Sequence, residues 1–235
     1  MNEQEFCDEL CKLNILVTSE NMQKLRILFE ELVKYNQKTN LTRIIEKEEV
    51  YLKHFYDSLT ITKEIDLNQD IKLIDLGSGA GFPGIVLKIF YPNLIITLLD
   101  SNNKKTDWLK YICYKLNIEA VIVHDRVENF AKTNLNDYDI VTSRAVANLR
   151  VLSELSLPLV KKNGFFVPLK GNIGQELLEA EDTIEIMGGK VINKTSFNLP
   201  HDMGLRTILK IEKKRDTSLT EIRSYDKILK KPLKK

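Results

Sequence analysis

Four of the ten glycines in this chain lie within eight residues, at Gly77, Gly79, Gly81 and Gly84. The cluster follows a short apolar run that ends near Asp75, and it opens an amphipathic stretch. Glycine lets the backbone adopt positive φ and lets a ligand approach the main chain closely. Because a tight turn would need only one or two glycines, the cluster predicts a ligand-binding loop between a strand and a helix.

Two ligand chemistries fit such a loop. The Gly-x-Gly-x-x-Gly spacing matches the fingerprint of dinucleotide-binding folds, and Asp100 closes the next strand, where an acid can bind a ribose. Asp75, however, precedes the loop by two residues and can accept hydrogen bonds from an ammonium group or from loop amides. Pro83 also removes an amide donor at the helix start, which weakens a pyrophosphate cradle. Asp100 could in addition cap the helix that follows it.

The elements around this loop alternate between strand and helix from Ile71 onward. The pattern predicts strands over residues 72–76, 94–99, 120–124, 139–143 and 164–169, and helices over residues 84–91, 104–116, 126–131 and 149–160. Such alternation is typical of a parallel sheet that is covered on both faces. A helix over residues 173–187 precedes two more strands, over 190–197 and 204–212, whose short connection allows only antiparallel pairing. The predicted fold is therefore α/β, with a mainly parallel seven-stranded sheet that ends in an antiparallel hairpin.

The segment before the sheet has helical periodicity. Apolar residues recur at Leu10, Leu13, Leu16 and Val17, and again at spacings of three and four over residues 22–33, with Ser19 as the expected N-cap. A polar loop over residues 35–42 and a further helix over 46–63 follow. We therefore expect an N-terminal helical extension over residues 1–70, a ligand-binding domain over 71–213 and a basic tail over 214–235.

The charge of the chain is unevenly distributed. Residues 212–235 carry nine basic and four acidic side chains, a net charge of +5, whereas the whole chain carries +2 and the remainder therefore −3. A basic tail can attract a polyanion, because each Lys or Arg near a phosphate releases a counterion. A solvated and partly disordered terminus is an equally common explanation of the same pattern.

The composition of the chain excludes several classes of protein. With 43% hydrophobic and 29% charged residues, the chain is neither disordered nor fibrous. It has no apolar run of membrane-spanning length and an acidic start unlike a signal peptide, and its three cysteines suit a reducing cytoplasm. Cys7 and Cys11 lack further ligands, so we expect no metal site. We also expect a monomer, because no long apolar seam is left over.

The Asp-x-Gly-x-Gly-x-Gly motif, the acid at the end of strand two and the final hairpin together resemble the class I S-adenosylmethionine-dependent methyltransferases. This resemblance implies a Rossmann-like fold with S-adenosylmethionine as cofactor. It places the loop over residues 77–81, which includes Gly77 and Gly79, against the amino-acid end of the cofactor and Asp100 against the ribose hydroxyls. Val127 and Glu128 would then contact the adenine. A helix start capped by Asp125, with Glu128 completing a capping box, explains the same residues equally well.

A series of segments is more specific than this motif: Asn40-Leu-Thr42, His54-Phe-Tyr-Asp57-Ser58, Asp75 to Gly84, Leu98-Leu-Asp-Ser101, Arg126-Val-Glu128, Ser143-Arg-Ala145 and Leu169-Lys-Gly171. The series resembles the bacterial small-subunit ribosomal RNA (guanine-N7) methyltransferases, also named glucose-inhibited division protein B, over roughly residues 40–210. The resemblance implies a cytoplasmic enzyme that methylates N7 of a specific guanine in 16S ribosomal RNA, either as free RNA or within a ribosomal subunit.

Site residues follow from the resemblance by matching position. The implied cofactor contacts are Gly77, Gly79, Phe82, Asp100, Val127, Glu128 and Arg144. The implied candidates for substrate binding are His54, Asp57, Ser58 and Lys170. Arg144 is also a substrate-side candidate, since an arginine after strand four could steer a phosphate or donate to guanine O6. The alternative role for Arg144 is a structural one, in a surface ion pair with a residue such as Asp57 or Glu128.

The implied reaction suits a site without an obvious acid–base pair. Guanine N7 is a lone pair with no proton to lose, so its methylation needs alignment of nucleophile, methyl carbon and sulfur rather than a general base. Methylation of an amino group commonly uses a proline-containing turn after strand four, and residues 142–145 contain no proline. Methylation at pyrimidine C5 needs a nucleophilic cysteine, and Cys113 lies in a helical run typical of packing.

Two other functions fit parts of the sequence. A nicotinamide-dependent oxidoreductase would use the same glycines, and it would change the fluorescence of NADH on binding. A non-catalytic RNA-binding or ribosome-associated protein could keep the same pocket without turnover. We rank both below the methyltransferase.

Overall fold

The computed structural model describes residues 1–234 and is built on one seven-stranded sheet. The strands are β1 Lys72–Leu76, β2 Ile95–Asp100, β3 Val121–His124, β4 Tyr138–Arg144, β5 Val160–Lys170, β6 Gly189–Asn198 and β7 Leu205–Lys213. Their order is β3-β2-β1-β4-β5-β7-β6, with the first five parallel and β7 antiparallel to both of its neighbours. The predicted fold class, a mainly parallel sheet with a terminal antiparallel hairpin, is confirmed.

Helices cover both faces of this sheet. They are α1 Glu3–Lys12, α2 Ser19–Asn36, α3 Lys47–Val50, α4 Asp57–Leu59, α5 Gly84–Phe90, α6 Asn103–Leu116, α7 Val127–Phe130, α8 Leu149–Ser156, α9 Gly174–Ile186 and α10 Tyr225–Lys230. Successive strand residues enter different cores: Leu73 joins the apolar cluster of α1, α2, α5 and α6, and Ile74 joins the cluster of α8 and α9. This alternation is the two-residue period of a strand whose faces are both buried.

The N-terminal helices share their apolar core with the sheet. Phe6 of α1 and Leu25 of α2 are fully buried in the same cluster as Leu73 of β1. Asn21 donates to the carbonyl oxygen of Ile89 at 2.8 Å, which ties α2 to α5. The division of the chain at residue 70 into an extension and a ligand-binding domain stays a prediction.

Two local predictions need correction. The N-cap of α2 is Thr18, whose hydroxyl accepts from the backbone N–H of Asn21 at 3.1 Å, so Ser19 is the first helical residue rather than the cap. The helix predicted over residues 46–63 is interrupted by a π-helical segment, Tyr51–Tyr56, which apolar periodicity does not distinguish from an α-helix.

Residues 214–234 remain largely exposed but include a short helix that packs on the body of the protein. After β7 the chain returns to α8, and Ile228 of α10 is buried against Val151 and Leu155. None of the helices in residues 1–234 is both long enough and apolar enough to cross a membrane.

Candidate functional site

The glycine loop between β1 and α5 requires its glycines. Gly77, Gly79 and Gly81 have φ of 67°, 57° and 100°, the left-handed region that other residues rarely adopt. A Cβ on Gly77 would also lie 2.6 Å from Cγ2 of Val146. The backbone N–H of Gly77 donates to Leu99 O at 2.8 Å, which fixes the loop to the end of β2.

Two buried side chains hold this loop from behind. The indole N–H of Trp108 in α6 donates to Ala80 O at 3.0 Å, and Trp108 is fully buried. Asp75 at the end of β1 accepts from the N–H of Gly84 at 2.9 Å through Oδ2. The loop is therefore fixed both to the sheet and to the neighbouring helix.

The other oxygen of Asp75 has no partner. Oδ1 is buried and receives no hydrogen bond from any residue in 1–234. Burial raises the pKa of this carboxyl to about 7, because a carboxylate in an apolar interior is poorly solvated. An orphaned buried acceptor beside a ligand-binding loop fits a ligand that carries a positive charge or a hydrogen-bond donor.

An acidic cavity of about 340 Å³ opens in front of the loop. Its lining residues are Gly77, Leu99, Asp100, Ser101, Lys105, Asp125, Arg126, Val127, Glu128, Ala145, Val146, Leu155 and Tyr225. Asp100 accepts from the backbone N–H groups of Gly79 and Asn102, at 2.9 Å each. Each carboxylate oxygen has two acceptor sites, so both oxygens of Asp100 can still accept from a ligand hydroxyl. The cap of α6 is Asn102, and not Asp100 as the alternative for that residue suggested.

The end of β3 forms one side of the same cavity. Arg126 occupies the N-cap position of α7 without a capping side chain, and its Nε donates to Glu128 Oε1 at 2.6 Å. The capping box between Asp125 and Glu128 is therefore wrong for this turn. Val127 and Glu128 both line the cavity, where the resemblance expected them to contact a cofactor.

A second, basic cavity of about 300 Å³ lies beside the first. It is lined by Ile44, Lys53, His54, Asp57, Arg144, Ala145, Leu169, Lys170, Gly171 and Arg206. Ala145 lines both cavities, and its φ of 57° is unusual for a residue with a Cβ. Such backbone strain is often found at functional sites.

Arg144 lies in a buried ion-pair network at the base of the basic cavity. Its Nη1 donates to Asp57 Oδ2 at 3.0 Å and to Lys53 O at 2.7 Å. Arg206 of β7 donates to the other oxygen of Asp57 at 2.8 Å. The alternative prediction of an ion pair with Asp57 is confirmed, but the pair is not at the surface, because the side chains of Arg144 and Asp57 are only 14% and 4% exposed.

His54 supports the same network as a neutral imidazole. Its ring stacks on Phe82 with centroids 4.5 Å apart, and Nδ1 lies 3.0 Å from Arg144 Nη2. Arginine can only donate, so Nδ1 must accept, and Nε2 then donates to the hydroxyl of Thr42 at 2.9 Å. Burial, followed by the charge of Arg144, lowers the pKa of His54 to about 3.

The π-helical segment contributes a backbone acceptor to this part of the site. The carbonyl oxygen of Lys53 accepts from Arg144 Nη1 at 2.7 Å. Ser58 is fully buried and donates to His54 O at 2.6 Å, so it supports the segment rather than lining a cavity. A π-helical turn at a functional site is a recurrent feature of proteins.

Lys170 stands on the opposite wall of the basic cavity. Its Nζ donates to Ala147 O and to Glu176 Oε1, at 2.8 Å each. An ammonium group has three N–H donors, so one of them is not used by these two bonds. Glu176 also accepts from the N–H of Leu149 at 2.6 Å, which links Lys170 to the start of α8.

The structure divides the sequence candidates between the two cavities. Gly77, Asp100, Val127 and Glu128 line the acidic cavity, and Gly79 donates to Asp100. Phe82 lies beneath His54 and lines neither cavity. His54, Asp57, Lys170 and Arg144 line the basic one. Their functional roles stay predictions.

The lining residues that are absent from the sequence predictions include Lys53, Arg206 and Tyr225. Arg206 and Tyr225 come from the final hairpin and the tail, far along the chain from the motifs that they join. Within residues 1–234, no group of three or more His, Cys, Asp or Glu side chains is arranged to hold a metal ion.

Comparison with known proteins identifies the family of this chain. The family model GidB, described as rRNA small subunit methyltransferase G, matches residues 21–203. Proteins named ribosomal RNA small subunit methyltransferase G are similar along most of their length. That of Macrococcus caseolyticus is 47% identical over 220 residues, 92% of each chain. That of Oceanobacillus iheyensis is 46% identical over 221 residues, 92% of this chain and 93% of the relative.

Solved structures share the fold at low sequence identity. The YcgJ protein of Bacillus subtilis superposes with a TM-score of 0.54 at 14% identity, over 70% of this chain and 100% of that one. The Methanococcus jannaschii fibrillarin pre-rRNA processing protein gives 0.52 at 13% identity, over 64% and 70% of the two chains. These likenesses concern the fold alone, whereas the family match and the identity to full-length relatives show that this chain belongs to the GidB family, rRNA small subunit methyltransferase G.

Proposed function

We propose that this chain transfers a methyl group from S-adenosylmethionine to N7 of a specific guanine in small-subunit ribosomal RNA. The observation that carries the proposal is the pair of cavities that share Ala145, one acidic and one basic. A cationic methyl donor suits the first and a polyanionic nucleic acid suits the second. Membership of a methyltransferase family requires a methyl donor, and it decides against the nicotinamide oxidoreductase that the glycine spacing left open.

The residues of the acidic cavity fit S-adenosylmethionine. When bound, this cofactor supplies a methyl group activated by a positively charged sulfur. Asp100 would accept from the ribose hydroxyls, while the glycine loop and the orphaned carboxylate oxygen of Asp75 would hold the cationic amino-acid end. Val127 and Glu128 would face the adenine. Three carboxylates against two cations line this cavity, and this excess of negative charge favours a cationic ligand over the phosphates of a dinucleotide.

The basic cavity fits a nucleotide of an RNA chain. Lys53, Lys170 and Arg206 would contact phosphates at its rim, where positive charge steers and positions a nucleic acid. Arg144 has five N–H donors, of which three are used by Lys53, Asp57 and His54. A remaining donor is available for guanine O6 or a phosphate oxygen. The target base must leave its stack to enter a pocket of this size.

The residues at the site suit a reaction without proton transfer. His54 is a weak base because its pKa is about 3, and its Nδ1 lone pair is engaged by Arg144. Guanine N7 has no proton to remove, so alignment in a dry pocket is the main requirement. Proximity and orientation can supply roughly 7–11 kcal/mol of the barrier in favourable systems.

We also propose a location, an oligomeric state and a domain organisation for the enzyme. We place the enzyme in the cytoplasm, where its RNA substrate occurs, and we expect it to act as a monomer without a metal. We retain the division into a helical extension over residues 1–70, a cofactor-binding domain over 71–213 and a basic tail over 214–235.

The proposal is tested by methyl transfer from labelled S-adenosylmethionine into undermethylated 16S RNA, supplied both naked and as small ribosomal subunits. The expected product is 7-methylguanosine, identified by mass analysis of nucleosides. Asp100→Ala should abolish incorporation, and Asp107→Ala, at an exposed position on α6, should not. A different labelled nucleoside would refute the N7 assignment, and RNA binding without turnover would favour a non-catalytic protein.

A further inference from the structure

The outer wall of the acidic cavity comes from the last helix of the chain. Tyr225, the first residue of α10, lines this cavity together with residues from the ends of β2 and β3. Its ring lies 4.6 Å from the guanidinium of Arg126, which in turn binds Glu128 at 2.6 Å. Tyr225 of the tail therefore stacks on Arg126, which belongs to the turn that would face the adenine.

The tail is anchored to α8 by a buried ion pair. Arg223 donates from Nε and Nη2 to the two oxygens of Glu154, at 2.5 and 2.6 Å. The side chains of Arg223 and Glu154 are 13% and 2% exposed, so this two-pronged pair is shielded from water. Charge-assisted pairs with two parallel bonds are the strong and geometrically specific ones.

Apolar packing and a backbone contact complete the anchor. Ile228 is 2% exposed and packs on Val151 and Leu155 of α8. Arg150 donates to the carbonyl of Ile228 at 3.0 Å. Leu155 also lines the acidic cavity, so the surface that holds the tail continues into the cavity wall. A segment held this firmly presents Tyr225 in a fixed place.

We propose that Tyr225 is a cofactor-binding residue that covers the purine base of the bound nucleoside, so that residues 223–230 form part of the cofactor site. The inference rests on the proposed function, because it assumes that the acidic cavity binds S-adenosylmethionine. Leu99, Val127, Leu155 and Tyr225 give this part of the cavity an apolar lining suited to a flat heterocycle. Aromatic side chains bind bases in this way because every base presents a π-face.

Tail docking and cofactor binding must then favour each other. If the cofactor contacts Tyr225, its binding stabilises the docked tail by the same free energy with which the docked tail strengthens its binding. The basic residues of α10, Lys227 and Lys230, are exposed and play no part in this contact. The inference therefore differs from an electrostatic role of the tail in RNA binding.

The test measures the affinity of the full-length protein for S-adenosylhomocysteine and for 5′-methylthioadenosine by titration calorimetry. Methylthioadenosine lacks the amino-acid end, so it reports on the nucleoside alone. Tyr225→Ala should weaken both ligands by about tenfold, the loss expected for one stacked base, and Tyr225→Phe should retain wild-type affinity. Leu229→Ala, at an exposed position on the same helix, is the matched control and should change neither affinity.

A second measurement separates a cofactor contact from a merely structural role of the tyrosine. In hydrogen exchange followed by mass spectrometry, saturating S-adenosylhomocysteine should slow exchange in residues 223–231 of the wild type, and should slow it less in Tyr225→Ala. Equal affinities for wild type and Tyr225→Ala, or no protection of the tail, would overturn the inference. Failure of the wild type to bind S-adenosylhomocysteine would instead overturn the proposed function.

Discussion

Asp75 and Asp100 are both buried acids at the ends of neighbouring strands, yet only Asp75 carries an unsatisfied oxygen. The pKa of Asp75 is about 7 in the fold and 3.8 for an ordinary aspartate. Because the folded-state value is the higher one, ionisation of Asp75 opposes folding. The contribution of Asp75 to the free energy of unfolding is fully present below about pH 4, where its carboxyl is protonated in both the folded and the unfolded state. That contribution is lost as the pH rises through 7.

Asp75→Asn should therefore stabilise the protein without ligand at high pH and weaken cofactor binding. The difference in unfolding free energy between variant and wild type should grow by roughly 2 kcal/mol from pH 5 to pH 7, measured by urea denaturation. The variant should lose affinity for S-adenosylhomocysteine at pH 8, because it lacks the carboxylate that we propose to hold the cationic end. Asp107→Asn is the control. A pH-independent difference would mean that Asp75 ionises normally.

Arg144 was assigned by sequence to both the cofactor and the substrate, and its position in the basic cavity favours the substrate. Arg144→Lys keeps the charge but loses the planar fork that binds Asp57, Lys53 and His54. We expect methyl transfer to fall by about tenfold or more, while the affinity for S-adenosylhomocysteine stays within about twofold. Arg26→Lys, on α2 and outside both cavities, should change neither quantity. A parallel loss of cofactor affinity would return Arg144 to the cofactor site.

Sequence located those site residues that lie in local motifs. The glycine loop and Asp100 are recognisable because strand, loop and helix follow one another within about thirty residues. Arg206 is not recognisable in this way, because it meets Asp57 across 149 positions of the chain. Nothing near Arg206 or Tyr225 in the sequence indicates the partner, since both contacts depend on tertiary packing.

At the scale of elements, most predicted strands and helices agree with the structure to within one residue at each end, but β5 begins at Val160 rather than 164 and α8 ends at Ser156 rather than 160. Strand β1 has the predicted bounds, because an apolar run between polar ends defines a buried strand well. The π-helical segment Tyr51–Tyr56 could not be predicted, since its residues bury much as they would in an α-helix. Lys53 and His54 of this segment contact Arg144, which lies on β4, and contacts between distant elements are not visible in local periodicity.

Helix α6 should control the shape of the glycine loop through a single hydrogen bond, which Trp108 donates to Ala80 O. Trp108→Phe removes the indole donor to Ala80 O and leaves that buried carbonyl without its partner. We expect a loss of about 1–3 kcal/mol in unfolding free energy by denaturant titration, together with weaker binding of S-adenosylhomocysteine. Tyr114→Phe, 83% exposed on the same helix, should alter neither quantity. Unchanged cofactor affinity in the Trp108 variant would show that the loop keeps its shape without the clamp.

On the scale of the whole molecule, two cavities of opposite charge lie side by side at the carboxyl edge of the parallel strands. The acidic cavity lies at the ends of β2 and β3, and the basic cavity lies between β4, β5, β7 and the π-helical segment. This separation follows from topology. The strand order reverses direction at β1 and β4, where open α/β sheets bind ligands, and the antiparallel β7 brings Arg206 to the basic cavity.

Charge separation predicts that substrate-side variants change RNA binding and leave cofactor binding intact. Arg206→Gln removes one cation from the rim of the basic cavity but keeps a donor for Asp57. Binding of 16S RNA, measured at several salt concentrations, should weaken, and the slope of log affinity against log salt should decrease in magnitude by about one. Lys12→Gln, on the exposed surface of α1, should leave the slope unchanged. An unaltered slope for Arg206→Gln would place the phosphates of the RNA elsewhere, because each phosphate contact that is lost removes the release of its counterion.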